Sequence, residues 1–401
     1  MVQIIPFAAW HPTAETAPSF ACPPYDVVDR EGAKKLAPKH RFLEVIRPEI
    51  GLPAGISEDD PQAHELARTR LQDFKDDGTL IHDEEPQLYI YREVKFGHEQ
   101  TGVVACVRTA DYRNGIIKRH ERTIVQKEQN RVDHFKATKS QTEPVFLTYE
   151  HDQQIDYLVQ KVMLHEPLIN FTDAHGSVQQ LWPVPDYSPL VQSFSQIGAL
   201  YIADGHHRTA SAARVAEDLG LDGDDPNNSI MAVIFPDNQL NVLAYNRIVH
   251  GLNGLTPAQL QVQLANDFGV YRAIDARDAK PRSRHTFGMR LGGQWYRIVY
   301  HGEDTGNVIG DLDSQILSDR VLKPLLGIED LRTDPRIEFV GGTRSINIME
   351  ERTDNDSVAF GLYPTSVAEM IAVADVDEIM PPKSTWFEPK IDSGLFLKDL
   401  G

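Results

Sequence analysis

Apolar positions along the chain fall into short runs of two kinds. Residues 87–96 and 101–109 read as strands, and Gly97-His98-Glu99-Gln100 between them is a hairpin signal. Residues 230–235 form a continuous apolar run, the pattern of a strand buried on both faces. Further strands are predicted at 42–46, 143–149, 181–184, 243–250, 337–343 and 360–363, with a second hairpin joining 287–291 to 294–300 about Gly292-Gly293. Helical spacing appears at 61–77, where Ala63, Leu66, Ala67, Leu71 and Phe74 share one face. Other helices are predicted at 30–37, stopped by Pro38, and at 128–139, 155–164, 256–268 and 312–325. Ser366 reads as a helix N-cap with Glu369 in the capping-box position. The cluster 222–228, rich in Asp, Asn, Gly and Pro, reads as a turn. The sequence holds no internal repeat.

The stretch with most chemistry is 199–214. An apolar run, 199–203, meets Asp204-Gly205 and then an Ala-rich helical segment predicted from Thr209 to Leu219 and stopped by Gly220. Gly205 tolerates the backbone angles of a strand-to-helix turn. His206, His207 and Arg208 then fall at the helix N-terminus, where N–H groups and the helix dipole favour an anion. The Arg208 fork suits phosphate oxygens, and the histidines add donors. Asp204 repels a phosphate unless it holds a cation, orients a histidine or takes a proton. An ordinary turn with Asp204 as a cap and the histidines in a polar network is the competing reading.

Charge and composition narrow the partners. The chain has 401 residues, a formal net charge of −19 at pH 7 and 41% hydrophobic residues, which predicts more than one domain with sizeable cores. No dense Lys/Arg run counters the acidic field, which argues against duplex nucleic acid as a partner. Cys22 and Cys106 form neither a disulfide framework nor a metal-finger spacing. With no membrane-length apolar run, the expected setting is soluble and cytoplasmic, with no membrane partner.

Three further places carry candidate chemistry. Residues 116–123 surround His120-Glu121 with Lys118, Arg119 and Arg122, so Glu121 is a candidate general base, although such a run is also an ordinary charged surface. Residues 380–390 form a proline-bounded loop presenting Lys383, Ser384, Thr385 and Lys390 to phosphate or substrate, or a tail docked on the body. Arg47 suits either an anion or a structural salt bridge, and Asn246, Arg247 and His250 sit near the exit of a predicted strand. The proline-marked Cys22-Pro-Pro-Tyr-Asp26 is a rigid segment of the kind that lines a cleft.

Taken in order, Lys118-Arg-His-Glu121, Asp204-Gly-His-His-Arg208 and Pro382-Lys-Ser-Thr385 resemble the free-serine kinases of the ParB/sulfiredoxin-like superfamily. The whole chain is still more similar to a prokaryotic family of that superfamily, through 22–26, 42–49, 204–208 and 380–385. The resemblance implies an α+β fold, a ParB/sulfiredoxin-like core embedded in a larger mixed-sheet α/β protein. It implies an N-terminal region at 1–115, a nucleotide-binding core at 116–250, an inserted region at 251–365 and a closing C-terminal segment at 366–401. The implied activity is phosphotransfer from ADP or ATP, with Mg2+, to a small hydroxyl compound such as free L-serine. Glu121 and Asp204 would be catalytic, Asp204 by way of magnesium or the transferred group. Gly205, His206, His207, Arg208, Lys383, Ser384 and Thr385 would hold phosphates, with His120, Arg47, Asn246 and Arg247 as candidate substrate contacts. The three segments are thus expected to converge on one hollow. A nucleotide-binding switch or slow NTPase of ParB type, a metal-dependent hydrolase on Asp204, His206 and His207, and an inactive scaffold are the rival readings. The length between Leu219 and Met380, and the portion before Ile116, depart from the kinases and leave the acceptor open.

Overall fold

A computed structural model describes the chain except residues 174, 175, 222, 224 and 401. Two compact units account for it. One comprises residues 1–119, 123–240 and 389–401, the other residues 120–122 and 241–388. The architecture is α+β, with mixed and antiparallel sheets and helices interspersed between their strands.

The first unit is built on a nine-stranded sheet among the described residues. From one edge its order is Ile117–Lys118, Leu200–Asp204, Val145–Tyr149, Ser229–Pro236, His98–Arg108, Leu88–Lys95, Val178–Val184 and Ile169–Thr172, with Ile4–Ile5 pairing onto His98–Arg108. Leu200–Asp204 runs parallel to Ile117–Lys118 and antiparallel to Val145–Tyr149, which is parallel to Ser229–Pro236. The sheet is therefore mixed. The hairpin read at 97–100 is present, with Leu88–Lys95 and His98–Arg108 in register. The strand Ser229–Pro236 is buried along its whole length, which explains its uninterrupted apolar sequence. The helices His206–Asp218 and Val125–Thr138 contribute Ala212 and Val215, and Val132 and Phe135, to the core beneath the sheet. A second core gathers Phe20, Phe42, Leu43, Val45, Ile46, Leu71 and Phe74.

The second unit carries a six-stranded antiparallel sheet in the order Phe268–Arg272, Gln294–Tyr300, Thr286–Leu291, Ser357–Gly361, Asn246–His250 and Ile337–Val340. Phe287, Met289, Leu317, Leu322, Val358 and Phe360 fill its main core. The Ser366 capping box is formed in both directions, Ser366 Oγ accepting from Glu369 N at 3.1 Å and Glu369 Oε2 accepting from Ser366 N at 2.8 Å.

Several elements differ from expectation, each for a local reason. Residues 42–46 form a short helix, Leu43–Ile46, instead of a strand. A short apolar run does not distinguish the two, and here every member except Glu44 faces the second core. The helix expected from Thr209 starts at His206, immediately after Gly205. The single strand expected at 243–250 is split. Val242–Leu243 pairs with Trp386–Phe387, and Asn246–His250 enters the six-stranded sheet. The helix expected at 256–268 stops at Leu264, and Phe268 opens a strand. The helix expected at 312–325 is shorter, with Asp313–Leu317 continuing as a widened π-type turn over Ser318–Leu322. Of the turn cluster 222–228, Asp222 and Asp224 lie outside the described residues.

Candidate functional site

In the first unit the strand Leu200–Asp204 ends at Gly205, whose φ of +93° lies in the left-handed region. A Cβ at Gly205 would also meet the Arg208 guanidinium at 3.1 Å. Glycine is required twice over, by the backbone and by the arginine folded back against it. The first bond within the helix is Thr209 N to Gly205 O at 2.9 Å, so the amides of residues 206–208 precede the hydrogen-bonded ladder. These amides and the dipole behind them are what suit the corner to an anion.

The side chains around that corner form a compensated charge network. Asp204 Oδ2 accepts from Lys390 Nζ at 3.2 Å and lies 3.4 Å from Arg208 Nη2. Burial alone would raise the Asp204 pKa; Lys390 and then Arg208 outweigh it and hold the carboxyl well below the usual range. Lys390 is correspondingly raised: burial opposes its charge, and Asp204 and then Asp26 outweigh burial. Arg208 is buried and donates to Pro144 O through Nη1. Its pKa too is raised against burial, by Glu143, Asp204 and Asp26. Glu143 Oε1 accepts from Ser393 Oγ at 2.8 Å and Tyr25 N at 3.3 Å. Arg131 lies 4.2 Å from the Tyr25 ring centroid. The Cys22-Pro-Pro-Tyr-Asp26 segment thus meets the same network as Asp204.

The histidines at the corner differ. His206 is buried, and its charged form would help hold Asp204 ionised. His207 Nε2 accepts from Ile124 N at 2.9 Å, which assigns the ring proton to Nδ1. Arg47, a candidate anion contact, donates to Glu49 Oε1 at 2.8 Å and to the carbonyls of Tyr25 and Val28 at 2.8 and 2.6 Å. Of its two readings the structure shows the salt bridge.

In the second unit, His120 is tied to the C-terminal loop. Its carbonyl accepts from Met380 N at 2.9 Å, and its Nε2 lies 3.2 Å from Thr385 Oγ1. Glu121 follows in a loop and is half-buried. Two of the sequence motifs, His120-Glu121 and Lys383-Ser384-Thr385, are therefore brought together. Ser384 Oγ lies 3.0 Å from Ser314 Oγ and donates to Pro381 O at 2.7 Å. Lys383 adopts φ +58°, and its ammonium stands 5.6 Å from the Tyr245 ring centroid. Arg247 is fully buried and donates to Lys383 O at 3.2 Å, while Asn246 Oδ1 accepts from Leu362 N at 3.0 Å. His250 is exposed and pairs with Glu338 at 3.5 Å.

Sequence reasoning missed the depth of the Asp204 network. Lys390 was visible in its loop but not its partner, 186 positions away. Glu143 lay in a strand-like run and Arg131 in a helix, with nothing in their spacing to join them to residue 204.

The family described as "protein of unknown function (DUF1015)" matches residues 4–315. A search of curated proteins finds no match. Among solved structures, the chain is similar to SbnI with a C-terminal truncation from Staphylococcus aureus, at 14% identity and a TM-score of 0.41, covering 74% of this chain and 87% of that one. It is similar to a mutant free serine kinase in complex with ADP, at 14% identity and a TM-score of 0.38, covering 73% and 92%. A conserved hypothetical protein from Pyrococcus furiosus is similar at 15% identity and a TM-score of 0.35, covering 74% and 95%.

Proposed function

The chain belongs to this DUF1015 family, and for it we propose nucleotide-dependent phosphotransfer to a small hydroxyl compound, with free L-serine one candidate acceptor. The observation that carries the reading is the strand–Gly205–helix corner. There the amides of residues 206–208 stand at a helix N-terminus beside Asp204, Lys390 and Arg208.

In this reading ADP or ATP lies with its phosphates at residues 205–208. The acceptor oxygen attacks the terminal phosphorus; a new P–O bond forms as the bridging P–O bond breaks and its electron pair leaves on AMP or ADP. The hydroxyl proton passes to the Glu121 carboxylate. The helix amides and Lys390 offset charge on the transferred group. Arg208, held by Pro144 and Asp204, keeps the corner in shape. Magnesium would supply charge neutralisation on the nucleotide phosphates. Asp204 Oδ2 already accepts from one cation and faces a second, which makes Asp204 a poor ligand for that metal.

The test is incubation with ADP or ATP, magnesium and a panel of hydroxy amino acids, followed by detection of the phosphorylated acceptor. Wild type should form product. Glu121→Gln should retain nucleotide affinity and lose at least about a hundredfold in rate, the lower end of what a general base contributes. Nucleotide binding with no product from any acceptor would sink the kinase reading in favour of the switch.

A further inference from the structure

Arg247 lies in a strand flanked by Ser357–Gly361 and Ile337–Val340 in the second unit, and it is 0% exposed. Among the described residues its guanidinium donates only to main-chain carbonyls, those of Tyr245 and Lys383. The Phe339 ring centroid lies 5.5 Å away. Its Nε is buried and has no hydrogen-bond partner among the described residues. Among the described residues no carboxylate pairs with it. Burial draws its pKa down to about 10. A guanidinium enclosed by neutral dipoles and a ring face lacks the carboxylate that normally compensates a buried arginine. Elsewhere in the chain the buried Arg208 has Asp204 at 3.4 Å.

What covers Arg247 is also unusual. Lys383, whose carbonyl takes the Arg247 bond, holds a left-handed backbone although it is not glycine. Three residues on, Trp386 packs over Gly341 and Gly342, where a Cβ at Gly341 would overlap the indole. Trp386 also stacks edge-on to Tyr245 at 5.3 Å. Ser384 anchors the middle of this strap through Ser314 and through the Thr365 hydroxyl, which donates to its carbonyl at 3.1 Å. Trp386 is held at its ring edge, where Nε1 donates to Glu388 Oε2 at 3.0 Å, and the strained link of the strap is the left-handed Lys383 peptide.

We propose that Arg247 is the floor of an oxyanion site in the second unit, roofed by residues 381–387, and that a phosphate or carboxylate group displaces the Lys383 carbonyl from its guanidinium. The planar fork matches two oxygens of such a group, and an oxyanion adds the attraction of opposite charges that the neutral carbonyl lacks. Displacement also lets Lys383 leave its strained conformation, and it shifts Trp386. The proposal goes beyond phosphotransfer: an oxyanion can seat at Arg247 in a protein that transfers nothing.

The experiment uses the full chain and its tryptophan emission. Inorganic phosphate and, separately, glycolate are titrated at constant ionic strength held with chloride. The expected result is a saturable change that disappears in Trp386→Phe and weakens at least tenfold in Arg247→Met. Saturation by phosphate identifies a phosphate group as the ligand, and saturation by glycolate a carboxylate. Lys383→Gly relieves the left-handed strain of the closed strap, about 1 kcal/mol, and should weaken binding about fivefold without removing the arginine. That variant keeps the test open should Arg247→Met fail to fold. A response to neither anion, a response that survives Trp386→Phe unchanged, or an affinity indifferent to both Arg247→Met and Lys383→Gly overturns the proposal.

Discussion

Lys390→Met removes the nearest cation from Asp204 and leaves the rest of the corner in place. The two groups are 3.2 Å apart, with side chains 12% and 25% exposed. At an effective dielectric of about 20, unit charges at that distance attract by roughly 5 kcal/mol. Part of this is offset by desolvating both groups, and Arg208 at 3.4 Å retains some hold on the carboxylate. Truncating one partner of a buried pair costs about 3–5 kcal/mol, and the partial exposure here lowers that to roughly 2 kcal/mol. The sign with pH follows from the depressed Asp204. Its contribution is present above the unfolded carboxyl value of 3.8 and is lost as pH falls towards the lower folded value. Urea unfolding of wild type and Lys390→Met should therefore differ by roughly 2 kcal/mol near pH 7. The gap should close as the medium is acidified below the ordinary carboxyl range. A double-mutant cycle with Asp204→Asn should return a coupling of similar size. A gap under about 0.5 kcal/mol near neutrality, the scale of an ordinary exposed pair, would refute the reasoning. A gap unchanged in acid would refute it as well.

Gly205→Ala should lower stability by about 1–2 kcal/mol in the same urea assay, because an L-residue is strained at φ +93° and its Cβ presses on Arg208. No loss would mean that the turn relaxes freely. Asp313, buried with Oδ2 unpartnered, has its pKa raised by burial from 3.8 to about 6. Its raised pKa favours the folded state only while the carboxyl is protonated, so stability falls as pH rises from 3.8 towards 6. Asp313→Asn should then gain roughly 3 kcal/mol in alkaline medium and nothing in acid, measured by urea midpoints across pH. Equal effects at both ends would show that the ionised carboxyl is not the source.

The Asp204–Arg208 corner was legible because its signals are contiguous: an apolar run, a glycine and an alanine-rich segment within 16 residues. The Ser366–Glu369 capping box was legible for the same reason. Residues 42–46 were misread because their enclosure by Phe20, Leu71 and Phe74 comes from distant segments, not from their own pattern. The split at 243–250 depends on Trp386–Phe387 reaching back to Val242–Leu243, which no local pattern records. Charge pairing fared likewise: Lys390 and Arg131 carry no mark of Asp204 or Tyr25 as partners. The bond from Arg247 to the Lys383 carbonyl spans 136 positions.

Amide hydrogen exchange with and without ADP addresses the nucleotide site most directly, because it reads the backbone groups assigned to the phosphates. The amides of His206, His207 and Arg208 should slow on ADP addition, and the slowing should be lost with adenosine, which has no phosphate. ADP that binds while these three amides exchange at their ligand-free rates would contradict the placement of the nucleotide at this corner.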